Sequence, residues 1–112
     1  MSEPKLVTVT RRDLKPSYQL VQTLHAGLQY SIDNIRTMFE WDDDSKSVVS
    51  LSVNNEQELV DLAQYIGDNF TYVSIFKEPD LKNQVTAIAF YAKEECRQAL
   101  QHLPLALKEL SK

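Results

Sequence analysis

The order in which strand-forming and helix-forming segments follow one another restricts this chain more than any other feature. "KLVTVT" (5–10) is rich in β-branched residues and reads as a strand. "RRDLKP" interrupts it, Pro16 fixes a turn, and Ser17 stands where a helix cap is expected. Val21, Leu24, Leu28, Ile32, Ile35 and Phe39 then recur at three- and four-residue spacing. This predicts an amphipathic helix running to about Met38, with that stripe toward the core. "EWDDDSK" is an acidic loop, and "SVVSLSV" (47–53) reads as the second strand. Asn55, three residues before Glu58, predicts a capped helix with Leu59, Leu62, Ala63 and Ile66 on one face and Gly67 as its closing residue. "FTYVSIF" (70–76) and "QVTAIAFY" (84–91) are the third and fourth strands. The polar turn around Pro79 between them makes an antiparallel hairpin the expected pairing. "KEECRQALQHL" (93–103) is a last helix stopped by Pro104, and the tail "LALKELSK" is read as a further helical turn.

Read this way, the elements run β-α-β-α-β-β-α. The alternation predicts an α/β fold, a single domain over 1–112 with a mixed four-stranded sheet and helices on both faces. A chain of 112 residues is long enough for one independent core. Charged residues at 25% and hydrophobic residues at 43% give the balance of an ordinary globular protein. No apolar run approaches the roughly 20 residues that span a bilayer. "MSEPKLVTVT" has no apolar signal region after a basic start, so a cytoplasmic protein without a membrane partner is expected. The one cysteine, Cys96, excludes an intrachain disulfide and a cysteine-based zinc cluster, and reads as a packed helix residue. A net charge of −4 argues against a generic nucleic-acid binder. The charge is uneven, however: Arg11, Arg12 and Lys15 share one turn and form a local patch that can meet phosphate.

Two stretches carry candidate chemistry. Tyr18, Gln22, His25 and Gln29, spaced by four, three and four, share one face of the first helix beside its apolar stripe. Solvated helix faces usually carry Lys and Glu; this one carries neutral hydrogen-bonding groups and a residue that titrates near neutral pH. The basic turn lies just before it, at the carboxyl end of the first strand, where ligands collect in open α/β sheets. The second stretch is "FKEPDLKNQVTAIAF", where both charge signs surround Pro79 and Thr86 interrupts an otherwise apolar strand. A packed histidine and a strand-forming threonine are the plainer readings of His25 and Thr86.

These two stretches, in this order, resemble the second class of peptidyl-tRNA hydrolase, the type common in archaea and eukaryotes. The resemblance is carried by "VTVTRRDLKPSYQLVQTLHA", through Arg11, Asp13, Leu14, Gln22, His25 and Ala26, and by Thr86 in "VTAIAF". It covers residues 5 to about 100. It implies an α/β fold in agreement with the element order, no cofactor or metal, and hydrolysis of the ester between peptide and tRNA by water attack, with polar side chains orienting water and stabilising developing charge. The sequence departs from the family at two places. The helix-start lysine of the family falls on Tyr18, with Ser17 in place of the preceding glycine, and the acidic residue expected between the third and fourth strands falls on Ser74.

The resemblance therefore implies His25, Gln22, Thr86 and Asp13 as catalytic residues, with Asp80 or Glu78 supplying the carboxylate. Arg11, Arg12, Lys15, Tyr18 and Gln29 would contact substrate, tRNA or peptidyl-tRNA being the partner. The replacement of lysine by Tyr18 and the negative net charge also support a non-catalytic binding module on the same fold, recognising a nucleotide, an acyl group or an RNA end. A third reading is a homodimer formed through an aromatic patch of Tyr30, Phe39 and Trp41.

Overall fold

Strand β1 (Lys5–Arg11) lies inside the sheet, hydrogen-bonded on both edges, which suits its β-branched composition. The computed structural model describes residues 3–107. From β1 the chain enters helix α1 (Pro16–Asp33), breaks at Asn34, and continues as α2 (Ile35–Asp43). It then forms β2 (Val48–Val53), α3 (Glu56–Asn69), β3 (Ser74–Glu78), a single 3-10 turn at Pro79–Leu81, β4 (Gln84–Ala92) and α4 (Glu94–Ala99). The strand order is β2-β1-β4-β3. β1 and β2 are parallel, joined by the α1–α2 crossover, and β4 is antiparallel to both β1 and β3. This is the mixed four-stranded α/β sheet, and β3 and β4 form the hairpin expected from the polar turn between them.

The two faces of the sheet are chemically different. One is apolar: Val7, Val9, Leu51, Val53, Ile88 and Phe90 pack against Leu59, Ala63 and Ile66 of α3 and Cys96 of α4. Burial of each such large side chain is worth about 1.5–3 kcal/mol, so most hydrophobic stabilisation sits on this face. The other face, under α1, combines Leu6, Ala87, Ala89, Tyr91 and Phe76 with the hydroxyls of Thr8, Thr10, Ser74 and Thr86.

That polar floor reverses the orientation predicted for α1. Its buried residues are Gln19, Gln22, Thr23, Ala26 and Tyr30. The stripe Val21, Leu24, Leu28, Ile32, Ile35 and Phe39 is exposed on α1 and α2, with Ile32 76% accessible. The spacing was sound evidence for a helix, but it did not say which side meets the sheet. Thr8 and Thr10 find partners within the sheet, but Thr86 and Ser74 bond Gln22 and Asp33 of α1; an aliphatic side chain in place of Gln22 would leave the buried Thr86 hydroxyl unpaired, at about 1–3 kcal/mol. Two other features of the first helix also differ from expectation. Lys15 is the N-cap and makes no side-chain cap bond, with Pro16 rather than Ser17 shaping the first turn. The helix divides at Asn34, whose ψ of 56° cannot continue it.

Asn55 caps α3 as predicted, its Oδ1 accepting from the Glu58 N–H at 2.9 Å. The Glu58 carboxylate accepts in return from the Asn54 N–H at 2.8 Å, one residue earlier than a standard capping box. The third strand begins at Ser74 rather than residue 70, and the last helix ends at Ala99 rather than 103. Trp41 covers the core edge and donates from Nε1 to the Ser47 carbonyl at 2.8 Å, while Tyr30 is buried, so Tyr30, Phe39 and Trp41 do not form one exposed aromatic patch. Of the tail read as a helical turn, Leu105 instead bridges Leu51 of β2, and residues 108–112 lie outside the described region. Among the described residues no helix is long and apolar enough to cross a membrane.

Gly67 does not end a helix in the left-handed conformation; α3 continues through it to Asn69, and no glycine here has a positive φ. A Cβ added at Gly67 meets nothing within 4 Å. Gly67→Ala is therefore expected to stabilise the protein by about 0.5–1 kcal/mol in urea unfolding. A left-handed cap at this position would give destabilisation instead.

Candidate functional site

The site forms where β4 abandons regular pairing. Phe76 of β3 faces Ala87 and Lys77 faces Val85, so Thr86 is the extra residue of a β-bulge. In an unbroken strand Thr86 would share the face of Ile88 and Phe90, pointing into the apolar core. The bulge shifts the phase: Val85 joins that core, and the Thr86 hydroxyl reaches α1 on the opposite face. Thr10 supports the irregularity, its Oγ1 donating to the Thr86 carbonyl at 2.8 Å.

From the bulge a buried hydrogen-bond series runs outward. Thr86 Oγ1 donates to Gln22 Oε1 at 2.6 Å, and Gln22 Nε2 donates to Glu78 Oε1 at 2.9 Å. Glu78 Oε2 accepts from the Asp80 N–H at 3.2 Å, tying the network to the 3-10 turn. Thr86 is 0% and Gln22 1% accessible, so neither amide end of Gln22 has water available as a substitute. The donated bond from Gln22, followed by the Asp80 N–H, holds the Glu78 carboxyl below its ordinary value of 4.5; desolvation opposes this, and the adjacent His25 assists it.

Alternate residues of β3 meet α1 in a row, as strand periodicity requires. Ser74 Oγ donates to Asp33 at 3.1 Å, the Phe76 ring stacks on His25 with centroids 4.5 Å apart and planes 4° from parallel, and Glu78 takes Gln22. The stack fixes the plane of the His25 imidazole while the residue stays exposed. The arrangement thus presents an oriented, accessible imidazole beside a carboxylate whose position is fixed by hydrogen bonds.

The predicted residues divide into two groups. His25, Gln22, Thr86 and Glu78 are brought together, and Asp80 touches the group through its backbone N–H. Arg11 and Asp13 form a separate assembly. Arg11 Nε and Nη2 bond the two Asp13 carboxylate oxygens, each at 2.9 Å, while Nη1 bonds Gln84 Oε1 at 2.9 Å and the Val85 carbonyl at 3.1 Å. The buried guanidinium thereby anchors the β1 turn to the start of β4, immediately before the bulge. Arg12 and Lys15 are exposed. Arg12 lines a cavity of about 550 Å³ that includes Glu58, Asp61 and His102, away from the α1 face. Gln29 is exposed and donates to Asp33 at 2.8 Å, apart from the Gln22 network, and Tyr18 is half-buried one turn before Gln22.

Sequence reasoning overlooked Thr10, Gln84 and the stacking role of Phe76. Thr10 left a faint signal as a second alternating hydroxyl in "VTVT"; the other two depend on a strand register that no local pattern specifies. Ser74, which falls where the resembled family has a carboxylate, bonds Asp33, whereas Glu78 supplies the acid next to His25. A cavity of about 640 Å³ lies at the far end of α1, between Tyr30, Tyr72, Tyr91 and Cys96, and includes none of the Gln22 network. Burial pushes the Cys96 thiol up to about 11, as expected of a packing residue rather than a nucleophile. Among the described residues no group of three or more His, Cys, Asp and Glu side chains is arranged to hold a metal ion.

Because the Glu78 carboxyl is held below 4.5, its contribution to stability is complete above that pH and is lost as pH falls through the lowered value. Glu78→Gln keeps an acceptor for Gln22 but removes the charge. In urea unfolding across the acid range, the stability gap between wild type and this variant should be constant above about pH 5 and close below it. A gap that does not change with pH would contradict the assignment.

No family model matches the chain, and no curated protein is significantly similar to it. Its fold is similar to a solved structure of a protein of unknown function from Agrobacterium tumefaciens strain C58, with a TM-score of 0.63 and 15% sequence identity over 94% of this chain and 98% of that one. At this identity the likeness extends to the fold and not to the chemistry.

Proposed function

We propose that the protein hydrolyses an ester of the peptidyl-tRNA type, with His25 as the group that moves a proton to or from water. The observation that supports this reading is an exposed imidazole held by its stack on Phe76, near enough to the Glu78 carboxylate to favour its charge, with Glu78 fixed through Gln22 to Thr86. In the reaction, water attacks the ester carbonyl carbon. His25 takes the water proton as the bond forms and returns it to the departing ribose oxygen, giving a free acid and a tRNA hydroxyl. Glu78, already ionised, stabilises the imidazolium that forms between the two transfers. Gln22 and Thr86 act as positioning residues, because their polar atoms are buried and bonded to one another. Lys15 and Arg12 supply exposed cations for the tRNA phosphates, so binding would weaken with salt.

Two observations favour a second reading, a binding module without turnover. The guanidinium of Arg11 is engaged by Asp13, Gln84 and Val85, and Tyr18 stands one turn before Gln22 where the resembled family has a cation. The side chain best placed to stabilise an oxyanion is then uncharged. Ligand retention without product would mark this reading.

Single-turnover hydrolysis of N-acetylated aminoacyl-tRNA separates the two. Wild type is expected to release free tRNA, and His25→Ala to lower the rate by about 10²–10⁴-fold. Gln22→Ala should lower it less, through misplacement of Glu78. No cleavage by wild type at excess enzyme would refute hydrolysis and leave the binding module.

A further inference from the structure

α1 and α2 leave large apolar side chains exposed to solvent. Leu20, Val21, Leu24, Leu28, Ile32, Ile35 and Phe39 are each between 46% and 76% exposed. Isolated exposed aliphatics need no explanation, but four along one stripe of α1, with Leu20, Ile35 and Phe39 exposed nearby in the chain, mark an interaction surface. At roughly 100° per residue, Val21, Leu24, Leu28 and Ile32 fall within one stripe of α1 opposite Gln19, Ala26 and Tyr30. Asp33 is the one formally charged side chain in the 18 residues of α1, and Gln29 and Ser74 both donate to it.

We propose that this stripe is the contact surface of a homodimer, with a second copy of the chain laying its own α1 antiparallel across it. Three observations favour a second copy over other occupants. First, the stripe is self-complementary. A two-fold axis at Leu28 sets Leu28 against Leu28 and Leu24 against Ile32, so apolar residues of α1 meet apolar residues. Second, the area suffices. The seven exposed side chains of α1 and α2 together present on the order of 700 Å² per copy, against the roughly 800 Å² that each partner buries in a standard interface. Third, the flanks carry no lysine or arginine along α1, whereas a helix resting on a membrane surface carries them on its polar face. His25, on the flank of the stripe, would then lie at the rim of the interface, and the partner would form one wall beside the imidazole. The dimer stands independently of the hydrolytic reading.

Sedimentation velocity of the full chain tests the proposal. The expected species has twice the 12.9 kDa mass of one chain. Leu24→Glu with Leu28→Glu should sediment as a monomer with an unchanged far-ultraviolet circular dichroism spectrum, because both side chains point outward. Val60→Glu, on exposed α3, should remain dimeric. A cross-link keeps the test independent of the charged variants: Leu28→Cys should oxidise readily to an interchain disulfide, while Val60→Cys should not. Cys96, buried, does not compete. A wild-type chain that sediments at the monomer mass, whether or not it binds some other partner, would overturn the proposal. So would a dimer that the double variant leaves intact, or equal cross-linking at Leu28→Cys and Val60→Cys.

Discussion

Gln22 commits both ends of its side-chain amide inside the protein, accepting from Thr86 and donating to Glu78. Much else follows from this. The amide needs a hydroxyl pointing at α1, so β4 must bulge at Thr86. It also needs a carboxylate on the third strand, which brings the β3–β4 turn down onto the helix. The buried Arg11, by gripping Gln84 and Val85, fixes the residues on the other side of the same bulge. An unsatisfied amide at this depth would cost about 1–3 kcal/mol for each end left open, so the polar series specifies the docking of α1 as strongly as several aliphatic contacts would.

Division of labour between the two faces of the sheet accounts for the rest of the architecture. The α3 face carries the dense aliphatic core and most of the hydrophobic stabilisation. The α1 face has Ala87 and Ala89 as its small residues, threonine hydroxyls around them, and a helix whose buried side is mostly polar or small. That exchange of aliphatic packing for directional bonds gives a precise position to His25, because a helix held by oriented hydrogen bonds cannot rotate without breaking them. It also leaves the aliphatic side chains of α1 on the outside, which is the origin of the proposed dimer surface.

Strands, helix starts and the fold class were legible in the sequence because they depend on local signals: β-branched runs, Pro16, the Asn55 cap and the spacing of apolar residues. The facing of α1 was not. Two stripes ran along it, one apolar and one polar, and the usual preference for burying the apolar one fails when the opposing surface carries hydroxyls. That surface is made by β1, β3 and β4 together, through a register no single segment encodes. The site was legible to a corresponding degree. Gln22, His25 and Thr86 stood out as residues misplaced for their surroundings, and they do converge. Glu78 was one of two candidate carboxylates, and only the turn geometry distinguishes it from Asp80. Arg11 had the composition of a phosphate contact, but its burial beside Asp13 gives it a structural task.

The orientation of α1, set by Gln22, is the claim on which the account rests. Hydrogen exchange of the glutamine side-chain amides, resolved by nuclear magnetic resonance, tests it most directly. The Gln22 amide protons should exchange far more slowly than those of exposed Gln57 and Gln29, and Thr86→Val should remove much of that protection. Exchange of Gln22 as fast as that of Gln57 would mean that α1 turns a different side to the sheet, and the proposed arrangement of His25 and Glu78 would fall with it.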